Sequence, residues 1–315
     1  MRRYGRELSV AASILLLALV LAFLAPGYFS GENLADLFLA NMPVLLIALG
    51  MTMVILTGQI DISVGSMFAV CGIVAGALAK LGLPILAAGA GAIVAGIAMG
   101  AVNGALVAYV RMPSIVVTLA TMVALRDGLR WATQGAWVSD LPPDFQWLGL
   151  SQEVYPILIA CTAIAFAAAI AWGLRNLAGG RAVYATGSNA SAALLAGIDT
   201  SFYTFTVFAI TGALAGLAAV LNSVRFNQIP SNAGLGLEMK VIAAVVVGGT
   251  AITGGSGSIA GTVLGVILLG AIGPALTFLG VSAYWERALQ GAIILAAVVA
   301  EAIRERAEKQ VVSRA

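Results

Sequence analysis

Ten apolar runs of near-membrane length follow one another along this chain, at roughly 9–25, 41–57, 63–80, 85–108, 113–126, 154–173, 201–221, 240–253, 259–279 and 286–303. A helix needs about 20 mostly apolar residues to cross a bilayer, and in lipid it must satisfy its backbone polar groups internally. This succession excludes a water-soluble core. It predicts an all-α, polytopic membrane protein of about ten transmembrane helices, forming a single domain over 1–315. The composition agrees: 61% of the 315 residues are hydrophobic, 10% are charged, and the mean hydropathy is +1.03. Soluble domains carry roughly 25% charged residues. The first run follows Met-Arg-Arg-Tyr-Gly-Arg as in a signal peptide, but "APGYF" is a poor cleavage site, so the run reads as an uncleaved first span.

Lysine and arginine placement orients the spans. With the N-terminus inside, Arg2, Arg3, Arg6, Arg111, Arg175, Arg181, Arg304, Arg306, Lys309 and Arg314 are cytoplasmic. Lys80, Arg126, Arg130, Arg225, Lys240 and Arg287 then fall outside, several of them beside Asp or Glu. Both termini are thus expected inside. Two loops stand out. The external one, about 127–153, carries Trp131, Trp137 and Trp147, which suit an interfacial belt on the outer surface or a docking site for an external partner. The cytoplasmic one, about 174–200, contains "SNASAALLAGI", a short helix capped by Ser188 or Asn189. Its apolar side needs a partner to cover it, or the lipid interface.

Glycines recur at four-residue spacing: Gly72 and Gly76; Gly96, Gly100 and Gly104; Gly212 and Gly216; Gly261 and Gly265. In lipid this spacing lets helix backbones approach closely, so these positions read as packing.

Against this background "TGQIDISVGS", 57–66, is a polar intrusion with an echo near the C-terminus. "GQIDISVGS" aligns with "GGTAITGGS", matching Gly58 with Gly248, Ile62 with Ile252, Gly65 with Gly255 and Ser66 with Ser256, and placing Ser63 opposite Thr253. Two weakly related halves are expected, each with a short or broken helix, near 58–66 and 248–256. The run 240–253 is short for a crossing and 41–57 barely long enough. Short, glycine-interrupted segments in corresponding positions point to a transport site. The expected translocation pathway therefore comprises Gly58, Asp61, Ser63, Gly65, Ser66, Gly248, Thr253, Gly255 and Ser256, with Asn103 as a further buried polar group. An ionisable residue at membrane depth is a functional candidate. Asp61 also suits a cap that starts the next helix, and Ala251 stands opposite it.

No phosphate-binding G-x-x-x-x-G-K-[ST] motif occurs, and the lysines are Lys80, Lys240 and Lys309 alone. Without histidine or a paired-acid constellation, an enzyme is not expected, and no metal site is. Cys71 and Cys161 lie in apolar runs, which disfavours disulfide and zinc sites. The net charge of +2, spread over scattered basic residues, gives no reason to expect nucleic acid. Energy for transport is expected from another subunit. The alternatives are a stand-alone secondary carrier or a channel for a small polar solute.

Three stretches carry a resemblance. "GQIDISVGS" is similar to the G-G-I-D-L-S-V-G-S stretch of permease subunits of ribose-type sugar ABC importers. The stretch 180–198, in which Gly180 and Arg181 precede "AVYATGSNASAALLAGI", resembles their cytoplasmic G-R-x-x-x-A-x-G-x-N-x-x-A-A-x-x-x-G-I loop. "GGTAITGGSGSIAGTVLG" resembles their G-G-x-x-x-x-G-G-x-G-x-x-x-G-T stretch, and the three run in the family's order. Gln59 replaces a glycine, and with Cys71 this resembles the rhamnose and autoinducer-2 branches more than the ribose one. The resemblance implies a permease of the bacterial cytoplasmic membrane that pairs with a second copy or a paralogue. It implies two ATP-binding subunits, which would bind the ATP and Mg, and a periplasmic sugar-binding protein. It also implies that Gly187, Asn189, Ala192, Ala193 and Gly197 belong to the ATPase-coupling element.

Overall fold

The computed structural model describes residues 5–282, 284–293, 295, 296 and 299. Arg2, Arg3, Arg304, Arg306, Lys309 and Arg314, and residues 300–303 of the tenth expected run, lie outside the described residues. Regular structure among the described residues is helical, apart from one isolated antiparallel bridge between Val138 and Ile229. The helices are α1 (Gly5–Leu24), α2 (Gly31–Leu56), α3 (Val64–Lys80), α4 (Ile85–Ala108), α5 (Ser114–Thr133), α6 (Tyr155–Asn176), α7 (Ala178–Ser188), α8 (Ala190–Leu195), α9 (Thr200–Ser223), α10 (Leu237–Val247) and α11 (Ile259–Phe278). A last helical segment occupies 285–293.

The all-α expectation holds, whereas length and composition confirm fewer than the ten expected spans among the described residues. Six helices among the described residues are long and apolar enough to cross: α1, α2, α4, α6, α9 and α11. α3 is apolar but has only 17 residues, and α5 carries Arg126, Asp127 and Arg130. α10 has 11 residues, about 16 Å at 1.5 Å per residue, against a hydrocarbon core of roughly 30 Å. α2 is longer than the run 41–57 suggests, because its first turns carry Glu32 and Asp36. Those acids lower the hydropathy yet suit a helix N-terminus, where the macrodipole favours negative charge. The expected external loop likewise loses 127–133 to α5.

α2 forms the axis of the bundle, with every residue from Pro43 to Leu56 buried. Around it pack α9, α10, α11 and α6, while α4 and α9 make the most extensive helix–helix contact. A Cβ on Gly96 would strike the carbonyl oxygen of Gly212, and one on Gly212 would strike that of Gly96. One on Gly216 would lie 2.8 Å from the Ile93 Cα. The two backbones therefore touch, as the glycine spacing predicts. Without a hydrophobic drive between helices in lipid, this close packing is what holds the pair together.

The segment after α5 folds back onto the bundle. Phe145 is buried, the Trp147 N–H donates to the Val224 carbonyl at 2.8 Å, and its ring meets Tyr155 edge-on at 5.2 Å. The Tyr155 hydroxyl donates in turn to the Leu221 carbonyl. Trp131 and Trp137 stay exposed, so the three tryptophans do not share one environment.

Candidate functional site

α2 and α10 end, and α3 and α11 begin, at the same end of the bundle. The backbone between them leaves the helix at 57–63 and at 248–258, and these two breaks meet. The Gly255 N–H donates to the Leu56 carbonyl at 2.9 Å. A Cβ on Gly254 would lie 2.9 Å from the Gly58 Cα and 3.1 Å from the Gly187 Cα, while one on Gly58 would lie 3.4 Å from the Thr253 carbonyl oxygen. Gly58, Gly254 and Gly255 adopt φ of +76°, +90° and +71°, a region that glycine alone enters without cost.

The C-terminal end of α7 is wedged into this joint. A Cβ on Gly187 would collide with the Leu56 carbonyl oxygen and lie 2.7 Å from the Gly255 nitrogen. The Tyr184 hydroxyl donates to the Gly257 carbonyl at 2.9 Å. After α7 the chain turns at Asn189, whose Oδ1 accepts from the Ala192 N–H at 2.9 Å and caps α8. Of the two expected caps, Asn189 is therefore the one used. Ala193 is buried, Asn189, Ala192, Leu194 and Leu195 are exposed, and Gly197 at φ +82° ends the turn. α7 itself stands where only loop was expected.

The remaining polar candidates divide between two places. Asp61 is fully buried, and its Oδ1 accepts from the Ser63 N–H at 2.9 Å and the Ser63 hydroxyl at 2.6 Å. The Ser63 hydroxyl accepts from Asn103 Nδ2 at 2.9 Å, and Asn103 Oδ1 accepts from the Thr121 hydroxyl at 2.7 Å. This chain of bonds ties the start of α3 to α4 and α5, and the Ser66 hydroxyl adds a bond to the Met122 carbonyl at 2.9 Å. Gly248 lies apart, packed on Gly261.

Asp61 is not the cap of α3, whose N-cap is Ser63 without a side-chain cap bond; its carboxylate instead closes a local turn onto Ser63 just ahead of the helix. Asp61→Ala strands the buried Ser63 N–H and should lower stability by about 2 kcal/mol, whereas Asp61→Asn keeps an acceptor at Oδ1 and should unfold close to the parent. Thermal unfolding of the purified chain in detergent checks both. An unchanged Asp61→Ala melting curve rules out a stabilising role for this turn.

The echo between the halves holds for topology and fails in register. Gly65 and Ser66 lie in the first turn of α3, whereas Gly255 and Ser256 lie in the second break, ahead of α11. Ser256 serves there through its backbone, its carbonyl accepting from the Ala251 N–H at 2.9 Å.

A cavity of about 1000 Å³ opens toward the other end of the bundle. Its walls come from the middle of α2 (Ala40, Pro43, Val44), Phe68 of α3, Asn222 at the end of α9, the first residues of α10, and the segment from Ser282 to Gly291. Glu238 pairs with Arg126 at 3.6 Å and Lys240 with Glu286 at 3.9 Å, while Gln290 Nε2 donates to Glu286 Oε1 at 3.0 Å. A Cβ on Gly65 would run into the Glu238 carboxylate, so Gly65 lies behind the cavity wall. Hydropathy did not single out these charged residues, because they sit at the ends of apolar runs and read as boundaries. Along α2, Pro43 in the cavity lies about 20 Å from Leu56 in the joint. α10 connects the two places, with Glu238 and Lys240 at one end and Gly248 following the other. No group of three or more Cys, Asp or Glu side chains suited to a metal ion occurs among the described residues.

Residues 33–298 match the family described as "Branched-chain amino acid transport system / permease component". The chain is 35% identical over 300 residues to the autoinducer 2 import system permease protein LsrC of Escherichia coli O157:H7, covering 94% of this chain and 86% of that protein. It is 36% identical over 300 residues to the LsrC protein of Yersinia pseudotuberculosis serotype O:1b (strain IP 31758), covering 94% and 84%. It is 36% identical over 294 residues to that of Salmonella paratyphi B (strain ATCC BAA-1250 / SPB7), covering 90% and 84%. No solved structure matches.

Proposed function

Because this chain belongs to the family of permease components found in branched-chain amino acid transport systems, we propose that it forms the membrane pathway of an ATP-driven importer for a monosaccharide or a similar small polyol-like solute. It is a multi-pass protein of the inner membrane and a non-catalytic subunit. In this reading residues 1–315 form one permease domain with both termini in the cytoplasm. Two ATP-binding subunits, which hold the ATP and Mg, dock beneath it. A second permease copy or a paralogue completes the pathway, and a periplasmic sugar-binding protein delivers the solute. The autoinducer 2 import named for the relatives makes a sugar-like solute the first candidate.

One observation carries this reading: α8 offers an exposed apolar tip at Leu194 and Leu195 while the adjoining α7 is wedged between both helix breaks. A partner that grips α8 and moves it must move Gly187. Gly187 cannot shift without displacing Leu56 at the end of α2 and Gly255 in the loop before α11. α10 then carries the displacement toward the cavity. Nucleotide binding to the partner drives transport only if the partner stabilises one arrangement of this joint over the other. Nothing in the structure favours a stand-alone carrier.

The test is co-purification from the native host. The parent chain should bring down an ATP-binding protein, and Asn189→Arg combined with Ala192→Glu should release it. The double variant removes the α8 cap, worth about 1 kcal/mol, and places two long charged side chains on the exposed face. The reading fails if no ATP-binding protein accompanies the parent chain.

A further inference from the structure

We infer that Glu7 of α1 is a positioning residue for transport: through Ser258 it holds the α11 end of the second break still, so that a displacement entering from α7 passes to α10. The inference rests on the transport reading above and brings into the joint a helix that this reading does not use.

α1 is the least buried of the six long apolar helices, and among helices it packs chiefly on α11. The two run parallel. At one end Leu21, Ala25 and Tyr28 close a small apolar cluster with Ala275, and the Tyr28 ring meets Phe278 edge-on at 5.7 Å. At the other end Val10 is buried, and the half-buried Glu7 reaches the residue just ahead of α11. The Ser258 hydroxyl donates to Glu7 Oε1 at 2.9 Å, while its oxygen accepts from the Gly261 N–H at 3.0 Å. Ser258 is thus the N-cap of α11, and Glu7 fixes the orientation of that cap. Two parallel helices also bring their positive ends together, and a carboxylate placed between those ends offsets the repulsion.

The position of this contact gives it a role in transport. The second break is a strap with two ends, Gly248 after α10 and Ser258 before α11. α7 grips it between them, with Gly187 packed on Gly255 and the Tyr184 hydroxyl bonded to the Gly257 carbonyl, one residue from Ser258. A push from α7 moves whichever end yields first. Glu7 holds Ser258, and one turn further on the Thr262 hydroxyl is bonded to that of Thr52, on the α2 axis, at 2.7 Å. The α11 end is therefore fixed, and the short α10 is the end that moves. Without Glu7 the first turn of α11 is free to fray, since stability is lowest at such ends, and the push is absorbed there.

Hydrogen exchange on the full chain, purified in detergent, tests the contact. The Gly261 and Thr262 amides both bond to Ser258. Glu7→Ala should speed their exchange by about fivefold. Glu7→Gln, whose side-chain oxygen still accepts from Ser258, should leave it near the parental rate. Leu8→Ala, at the exposed neighbouring position, is the control and should change nothing.

The transport role is tested in the assembly with its ATP-binding partner. Met239→Cys, on the α10 wall of the cavity, is followed by maleimide labelling. Cys161→Ser removes the exposed native thiol, and the buried Cys71 is retained. Mg-ATP with vanadate should change the labelling rate of Met239→Cys by about fivefold or more. Adding Glu7→Ala should remove most of this response while ATP hydrolysis continues, and Glu7→Gln in its place should restore it. The inference is overturned if Gly261 and Thr262 exchange alike in Glu7→Ala and the parent. It is also overturned if the Met239→Cys response is absent without Glu7→Ala, survives it, or fails to return with Glu7→Gln. Loss of hydrolysis along with the response marks a merely structural tie and overturns it as well. The exchange measurement needs neither ATP nor a partner, so it decides the contact even where no ATP-binding protein co-purifies and the importer reading falls.

Discussion

Gly187→Ala should reduce import by the complete assembly at least a hundredfold while leaving the helices and membrane insertion intact. The added methyl group has no direction in which to escape. It is aimed at the Leu56 carbonyl oxygen and the Gly255 nitrogen, and those two atoms are hydrogen-bonded to each other at 2.9 Å. To admit the methyl, the bond between the two breaks must open or α7 must withdraw from the joint. Opening a buried backbone hydrogen bond costs about 1–3 kcal/mol, and overpacking adds roughly 1–3 kcal/mol. A total near 3 kcal/mol corresponds to about a hundredfold in an equilibrium. Gly197→Ala is the comparison from the same loop. Gly197 also has a positive φ, +82°, but a Cβ there meets nothing within 4 Å, so the cost is confined to about 1 kcal/mol of backbone strain. Uptake by both variants in cells carrying the whole transport system decides the point. If Gly187→Ala imports at the parental rate, the joint does not couple α8 to the pathway.

Gly212→Val should have the largest effect on stability, with little or no folded protein recovered. Its Cβ would lie against the Gly96 carbonyl, and 3.1 Å from the Gly100 Cα. Neither atom belongs to a flexible side chain that can turn aside, so α4 and α9 must separate along much of their length. In lipid the lost contact is not offset by burial elsewhere, because association depends on close packing. A loss of about 4 kcal/mol or more is expected, a large part of the 5–15 kcal/mol that stabilises an ordinary domain. Gly128→Ala in α5 is the control. A Cβ at Gly128 meets nothing within 4 Å, and alanine there favours the helix by roughly 0.5–1 kcal/mol. Detergent-solubilised yield and thermal unfolding separate the two variants. Parental melting by Gly212→Val would contradict the backbone contact between α4 and α9.

Much of this arrangement can be read from the sequence because local chemistry specifies it. Four-residue glycine spacing marks the α4–α9 crossing, and Asn189 ahead of an Ala/Leu run marks α8. The helix breaks around Gly58 and Gly254 follow from clustered glycines within apolar sequence. What the sequence conceals depends on distance along the chain. That Gly58, Gly187 and Gly254 share one joint is a property of the fold, since Gly58 is separated from the other two by more than a hundred positions and each has a satisfactory local explanation. Glu32 and Asp36 hide the first turns of α2 from a hydropathy reading. Glu238 and Lys240 pass for the edge of a span because α10 is too short to cross, so the polar wall of the cavity resembles a membrane boundary. The pairing of Gly65 with Gly255 shows the reverse error. Glycine is frequent enough here to align two positions that differ in backbone state.

The glycine contact between α4 and α9 also bears on how the chain is made. Gly100 and Gly212 are far apart in sequence, and at ordinary synthesis rates of about 5–20 residues per second the second follows the first by roughly 5–25 s. α4 therefore spends those seconds in the bilayer with its glycine groove unfilled, beside a newborn α3 that carries the same spacing at Gly72 and Gly76. The native partner arrives only after the intervening helices α5 to α8 have been made. The tightest junction in the bundle is thus one of the later ones to close, and its closure fixes the core only when α9 has been delivered.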